Sequence, residues 1–137
     1  MRQSKTKNNV CVIGLGYVGL TLAIKLAEKN FNIVGIEKKN EVLEQIKKGH
    51  SHFYEPGINT KIKKVLKKKK FKVYNKINKD VISDIYIITV GTPLDNKGKF
   101  RIDYIKNFCK ELISILKNGD TIILRSTVKV GTTRDIV

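Results

Sequence analysis

Apolar positions along this chain switch between two periods. Five short runs, 10–13, Asn32–Ile36, Phe71–Tyr74, 85–90 and Thr121–Leu124, read as strands, and the β-branched run 85–90 as one buried on both faces. Between them the apolar residues recur at helical spacing. Residues 17–29 predict a helix with Val18, Leu22, Ala23, Leu26 and Ala27 on its inner face. A second helix is expected near 40–48, stopping at Gly49, and a third over 58–70 with Ile58, Ile62, Val65 and Leu66 turned inward. The helix over 103–117 should bury Ile105, Phe108, Cys109, Leu112, Ile115 and Leu116 and end at Asn118-Gly119. A last helix begins at Gly131. Loops carry Glu55-Pro56-Gly57 and an Asn96-Lys97-Gly98 turn.

Strands alternating with helices imply an α/β fold, a Rossmann-type doubly wound parallel sheet in three α/β/α layers. At 137 residues one domain is expected over 1–137. In such sheets ligands sit at the carboxyl ends of the strands. The first of those ends is the most informative. The run 10–13 leads into Gly14-Leu15-Gly16-Tyr17-Val18-Gly19, a G-x-G-x-x-G turn that opens a helix. Gly14 makes the tight turn, Gly16 allows backbone to approach a pyrophosphate, and Gly19 lets helix and sheet pack closely. The helix N-terminus offers free N–H groups to phosphate oxygens. Glu37 follows at the end of the second strand, placed to accept hydrogen bonds from ribose hydroxyls. Its charge would repel a 2′-phosphate, so NAD is expected over NADP, although Lys38 and Lys39 beside it could tolerate that phosphate. The fourth strand leads to Gly91-Thr92-Pro93 and the fifth to Arg125-Ser126-Thr127. Their hydroxyls either face the nicotinamide half of a dinucleotide or cap the loops.

Composition narrows the classes. A net charge of +16 raises nucleic-acid binding as a possibility. The charge comes from 24 lysines and only 4 arginines, alongside 19 isoleucines and 11 asparagines, the bias that A+T-rich coding produces. Arginine, the usual phosphate and base reader, is scarce, and the lysines of 61–72 read as the solvated face of a helix. No nucleic-acid partner is expected. No apolar run reaches the ~18 residues that span a bilayer. The stretch 10–27 has three glycines and Lys25, unlike a signal core. With two cysteines and no disulfide framework, a cytoplasmic location is expected. His50-Ser51-His52 lacks the nearby ligands a metal site needs, so no metal is expected, and the pair is expected on a loop near the cofactor.

Four separated motifs resemble the UDP-glucose/GDP-mannose dehydrogenase family, the nucleotide-sugar 6-dehydrogenases: 14–20 (Gly-Leu-Gly-Tyr-Val-Gly-Leu), Glu55-Pro56-Gly57, Val90-Gly91-Thr92-Pro93-Leu94, and Arg125-Ser126-Thr127-Val128 with Gly131-Thr132-Thr133. The wording of Thr92-Pro93-Leu94 and Arg125-Ser126-Thr127-Val128 is similar to members acting on UDP-N-acetylhexosamines. The resemblance implies an NAD-binding amino-terminal domain in which Tyr17 and Val18 give backbone N–H groups to the pyrophosphate. It places Glu37 at the ribose-binding acid, where the family usually has Asp, and Gly91, Thr92 and Thr127 on the nicotinamide side. Thr127 would also position a catalytic water or the reacting oxygen. A basic residue five positions after the ribose acid is common in the family; Val42 stands there, and Lys38 or Lys39 is the substitute. The Glu55 loop would pack near the cofactor rather than act as a base.

The resemblance further implies an enzyme of polysaccharide biosynthesis that oxidises the C6 alcohol of a UDP-sugar to the carboxylate, reducing two NAD, through a thiohemiacetal and a thioester on a cysteine. Neither cysteine here fits that role. Cys11 lies inside a strand and Cys109 on an apolar helical stripe, whereas a reactive thiol needs an exposed electropositive niche. The catalytic cysteine, its lysine and aspartate, and the central and UDP-sugar-binding domains are expected beyond residue 137. The chain is therefore expected to be a fragment, inactive alone, with homodimer formation belonging to the whole protein. Two alternatives stay open: a stand-alone NAD(H)-sensing Rossmann module, and the domain of a 3-hydroxyacid-type dehydrogenase.

Overall fold

The structure, a computed structural model, describes residues 8–136; residues 1–7 and 137, the ends of the expected domain, lie outside it. Five parallel strands, β1 (Asn9–Ile13), β2 (Asn32–Ile36), β3 (Phe71–Tyr74), β4 (Ile85–Ile88) and β5 (Thr121–Leu124), form one sheet in the order β3-β2-β1-β4-β5. Helices α1 (Tyr17–Glu28), α2 (Asn40–Lys47), α3 (Ile58–Lys67), α4 (Asp103–Ile113) and α5 (Thr132–Ile136) connect or follow them, with a 3-10 turn at Lys79–Val81. The expected doubly wound parallel sheet is what the chain forms.

Alternation along β1 shows why there are two helical layers. Val10 and Val12 enter one apolar cluster with Leu20, Ala23, Ile24, Leu43, Ile46, Ile62 and Phe71. Cys11 and Ile13 enter a second with Tyr86, Ile88, Ile105, Phe108 and Leu112. Successive side chains of a strand point to opposite faces, so α1, α2 and α3 cover one face and α4 and α5 the other. Tyr86 is fully buried, and its hydroxyl accepts the Ser83 backbone N–H at 3.0 Å, which removes the penalty of an unpaired polar group.

Three details differ from the expected pattern. The inner face of α1 is Gly19, Leu20, Ala23, Ile24 and Ala27, while Val18 is 45% exposed beside the turn. Strand β4 ends at Ile88, because the Thr89 hydroxyl turns toward β1 and donates to the carbonyls of Ile13 (3.0 Å) and Gly14 (2.7 Å). Helix α4 stops at Ile113 rather than 117, where the Ser114 hydroxyl donates back to the Glu111 carbonyl at 2.9 Å and competes with the helical ladder. The sheet order reverses between β1 and β4, and that switch point opens a crevice at the strands' carboxyl ends.

Candidate functional site

A cleft of about 420 Å³ occupies the switch point. Its floor is the turn from β1 into α1. Gly14 sits at φ +92°, a conformation that side chains resist, and a Cβ there would meet Val90 at 3.0 Å. Gly19 is buried under the turn, where a Cβ would strike the Gly14 carbonyl and come within 2.6 Å of Thr89 Oγ1. Gly16 differs from both: a Cβ built there meets nothing within 4 Å. The first turn of α1 has no side-chain cap and no acidic residue, so its opening N–H groups remain available to an anion. Tyr17 and Val18 stand exposed at the rim.

Glu37 lies at the end of β2 and faces the same turn. Its Oε2 accepts the Leu15 N–H at 3.2 Å and its Oε1 the Lys39 N–H at 2.9 Å. These two bonds fix the carboxylate across the cleft from Gly16 and leave it further acceptor capacity. Lys38 and Lys39 line the same side, with Val42 behind them. The Lys38 ammonium is 2.9 Å from Glu111 Oε1 and 4.4 Å from the centroid of the Phe108 ring.

The opposite wall comes from the loop after β4, to which the loop after β5 is tied. Gly91, Pro93, Thr89 and Val90 line the cleft. Thr92 donates its hydroxyl to the Thr127 carbonyl at 2.6 Å, and Ser126 donates to the Val90 carbonyl at 2.7 Å. The capping role weighed for these loop hydroxyls is therefore real for Thr92, whose lone pairs stay available as acceptors. Thr127 is exposed. The structure thus gathers Gly14, Gly16, Glu37, Lys38 and Gly91 on the cleft, sets Tyr17 and Val18 on its rim, seats Gly19 beneath it, and ties Thr92 to Thr127.

His52, from the His50-Ser51-His52 loop, also lines it, as do Tyr104 and Phe108, which the sequence did not mark as site residues. His52 packs edge-on against Phe53 (5.0 Å), which packs on Tyr17 (4.9 Å). The Glu55 carboxylate, as acceptor and as charge, raises the Tyr17 hydroxyl above its ordinary value. Through Phe53 the loop that carries Glu55 packs on the first turn of α1. At the far rim Arg101 stacks over Tyr104 at 5.1 Å and pairs with Asp103 at 2.8 Å, which holds the Asp103 carboxyl below its usual range. Cys11 is fully buried, and burial pushes its thiol up to about 12; burial also raises Cys109. Neither supplies a thiolate nucleophile at neutral pH.

The donor set suits a dinucleotide. Open space over Gly16 and uncapped amides fit a diphosphate, and a fixed carboxylate fits vicinal ribose hydroxyls. Comparison with known proteins agrees. Residues 8–137 match the model of the UDP-glucose/GDP-mannose dehydrogenase family, NAD binding domain. The UDP-N-acetyl-D-mannosamine dehydrogenase of Campylobacter jejuni is 35% identical over 131 residues, covering 94% of this chain and 31% of that protein. The solved UDP-D-ManNAc dehydrogenase of Pyrococcus horikoshii superposes with a TM-score of 0.88 at 32% identity, over 93% of this chain and 30% of that one. A ternary complex of GDP-mannose dehydrogenase from Pseudomonas aeruginosa gives 0.87 at 27% identity, over 94% and 30%. The chain spans 29–31% of the length of such curated relatives.

Proposed function

Because the chain belongs to the UDP-glucose/GDP-mannose dehydrogenase family, as its NAD-binding domain, we propose that it is the cofactor-holding part of a nucleotide-sugar 6-dehydrogenase. The names of several relatives it matches, UDP-N-acetyl-D-mannosamine dehydrogenases, favour a UDP-N-acetylhexosamine as the substrate class. Bound NAD would supply the hydride acceptor for oxidation of the sugar C6 alcohol to a carboxylate, two NAD being reduced per sugar.

The chain's own residues do the holding. Backbone N–H groups at Gly16, Tyr17 and Val18 would bind the diphosphate, assisted by the positive end of α1. Glu37 would accept hydrogen bonds from the ribose hydroxyls. Gly91, Thr92 and Thr127 would line the nicotinamide side, with the Thr127 hydroxyl orienting the reacting oxygen or a water. Substrate binding and the covalent steps are assigned to the part of the protein beyond this domain. So is homodimer formation. We further place the protein in the cytoplasm, in polysaccharide biosynthesis, with no nucleic-acid or membrane partner; no helix among the described residues is long and apolar enough to cross a membrane.

The observation that carries this reading is the pairing, across one cleft, of the open position at Gly16 with the fixed carboxylate of Glu37. Isothermal titration of the 137-residue chain should show NAD binding tighter than NADP. UDP-N-acetylmannosamine with NAD should give no NADH from the chain alone. Absence of NAD binding overturns the assignment of the cleft, and turnover by the isolated chain overturns the assignment of the chemistry to another part.

A further inference from the structure

Two lysines follow the ribose-side acid, and the structure treats them differently. Lys39 gives its backbone N–H to Glu37 while its side chain is exposed. Lys38 is drawn across the mouth of the cleft to α4, where its ammonium sits 2.9 Å from Glu111 Oε1 and 4.4 Å over the Phe108 ring. Phe108 and Glu111 are three residues apart on α4, one turn of the same face, so together they form a seat for a single cation. Phe108 lines the cleft; the seat therefore lies at its edge.

A lysine directly after the ribose acid is the type of group that would neutralise a 2′-phosphate. To do so, Lys38 would have to leave both its carboxylate and its ring. We propose that Glu111 is a positioning residue for cofactor selectivity: by holding Lys38 on α4 it withholds that cation from the ribose edge and preserves the preference for NAD over NADP. Glu111 acts through Lys38 and touches no cofactor atom itself. The proposal rests on the reading of the cleft as the NAD site.

Both side chains are partly exposed, 51% for Lys38 and 37% for Glu111, so the effect is modest. Exposed ion pairs of this kind correspond to changes of up to about fivefold in an equilibrium constant. The test is titration of NAD and NADP against the wild-type chain, Glu111→Gln, Lys38→Met and the double variant. Glu111→Gln should tighten NADP relative to NAD by about threefold to fivefold. The gain should vanish in the double variant, where no cation remains to be released. A ratio that Glu111→Gln leaves unchanged overturns the proposal, as does a gain that survives in the double variant. A merely structural role for Glu111 would move both dinucleotides together and is excluded by a change in their ratio. A wild-type chain that binds neither dinucleotide overturns the reading of the cleft, and this proposal with it. A wild-type chain that binds NAD but has a ratio insensitive to Glu111 overturns this proposal alone.

Discussion

Gly16 and Glu37 carry the site by opposite means, one through the lack of a side chain and the other through its placement. The backbone of Gly16 lies at φ −68°, ψ −166°, which any residue adopts, and its missing Cβ points into open space. Gly16→Val should therefore leave thermal stability within about 0.5 kcal/mol of wild type while filling the proposed diphosphate seat and abolishing NAD binding. Calorimetry on one sample reads both. Glu37→Ala removes a carboxylate that two backbone N–H groups hold in place. A lost charge-assisted hydrogen bond costs about 1.5–3 kcal/mol, so NAD should weaken by roughly 10- to 100-fold. NADP, which gains from losing a like charge, should weaken less. An unchanged NAD/NADP ratio would show that Glu37 does not face the ribose.

The residue types that announced the site were those whose chemistry is unusual for their position: glycines in a strand-to-helix turn and an acid ending an apolar run. Tyr104 and Phe108 carried no such signal. Phe108 read as core, and it is buried, yet it also borders the cleft and seats Lys38. Only the fold brings that aromatic to a lysine distant in the chain.

The elements themselves were legible because each keeps one period. What escaped was the rotation of α1. Positions 18, 20, 22, 23, 24, 26 and 27 are all apolar, so the stripe is too broad for spacing to choose its centre. The choice is made by contact with the turn: Gly19 must face Gly14, which carries Leu20, Ala23, Ile24 and Ala27 inward and leaves Val18 outside. Gly19→Ala tests this directly. The obstacle its methyl meets is backbone carbonyl rather than a flexible side chain. Overpacking of a rigid contact costs about 1–3 kcal/mol or more, and chemical denaturation should show the loss even in the absence of NAD. Similarly, the fourth strand read as ending later than it does because Thr89 was counted with the apolar run; its hydroxyl instead ties β4 to the carbonyls that close the glycine turn.

For the whole molecule, the order β3-β2-β1-β4-β5 makes one crevice the meeting point of the loops after β1, β2 and β4, and a ligand there touches both halves of the sheet. Binding to the folded chain alone should raise its stability by about 2.7 kcal/mol when NAD is at 100 times its Kd. Cys11 offers an internal reporter. It is fully buried in β1 with its thiol pushed up to about 12, so a thiol reagent at pH 8 should modify it only when the sheet opens. Saturating NAD should slow that modification; an undiminished rate would mean that the cofactor does not stabilise the strand bearing its own phosphate turn. The +16 charge acts at this scale too. It should speed encounter with anionic ligands, and added salt should slow that encounter.

The loops after β4 and β5 exchange hydroxyl bonds reciprocally, Thr92 to the carbonyl of Thr127 and Ser126 to the carbonyl of Val90. Each loop thus fastens the other, like the two halves of a buckle. A displacement imposed on either one is transmitted to its neighbour, so the two loops are obliged to shift as a single jaw.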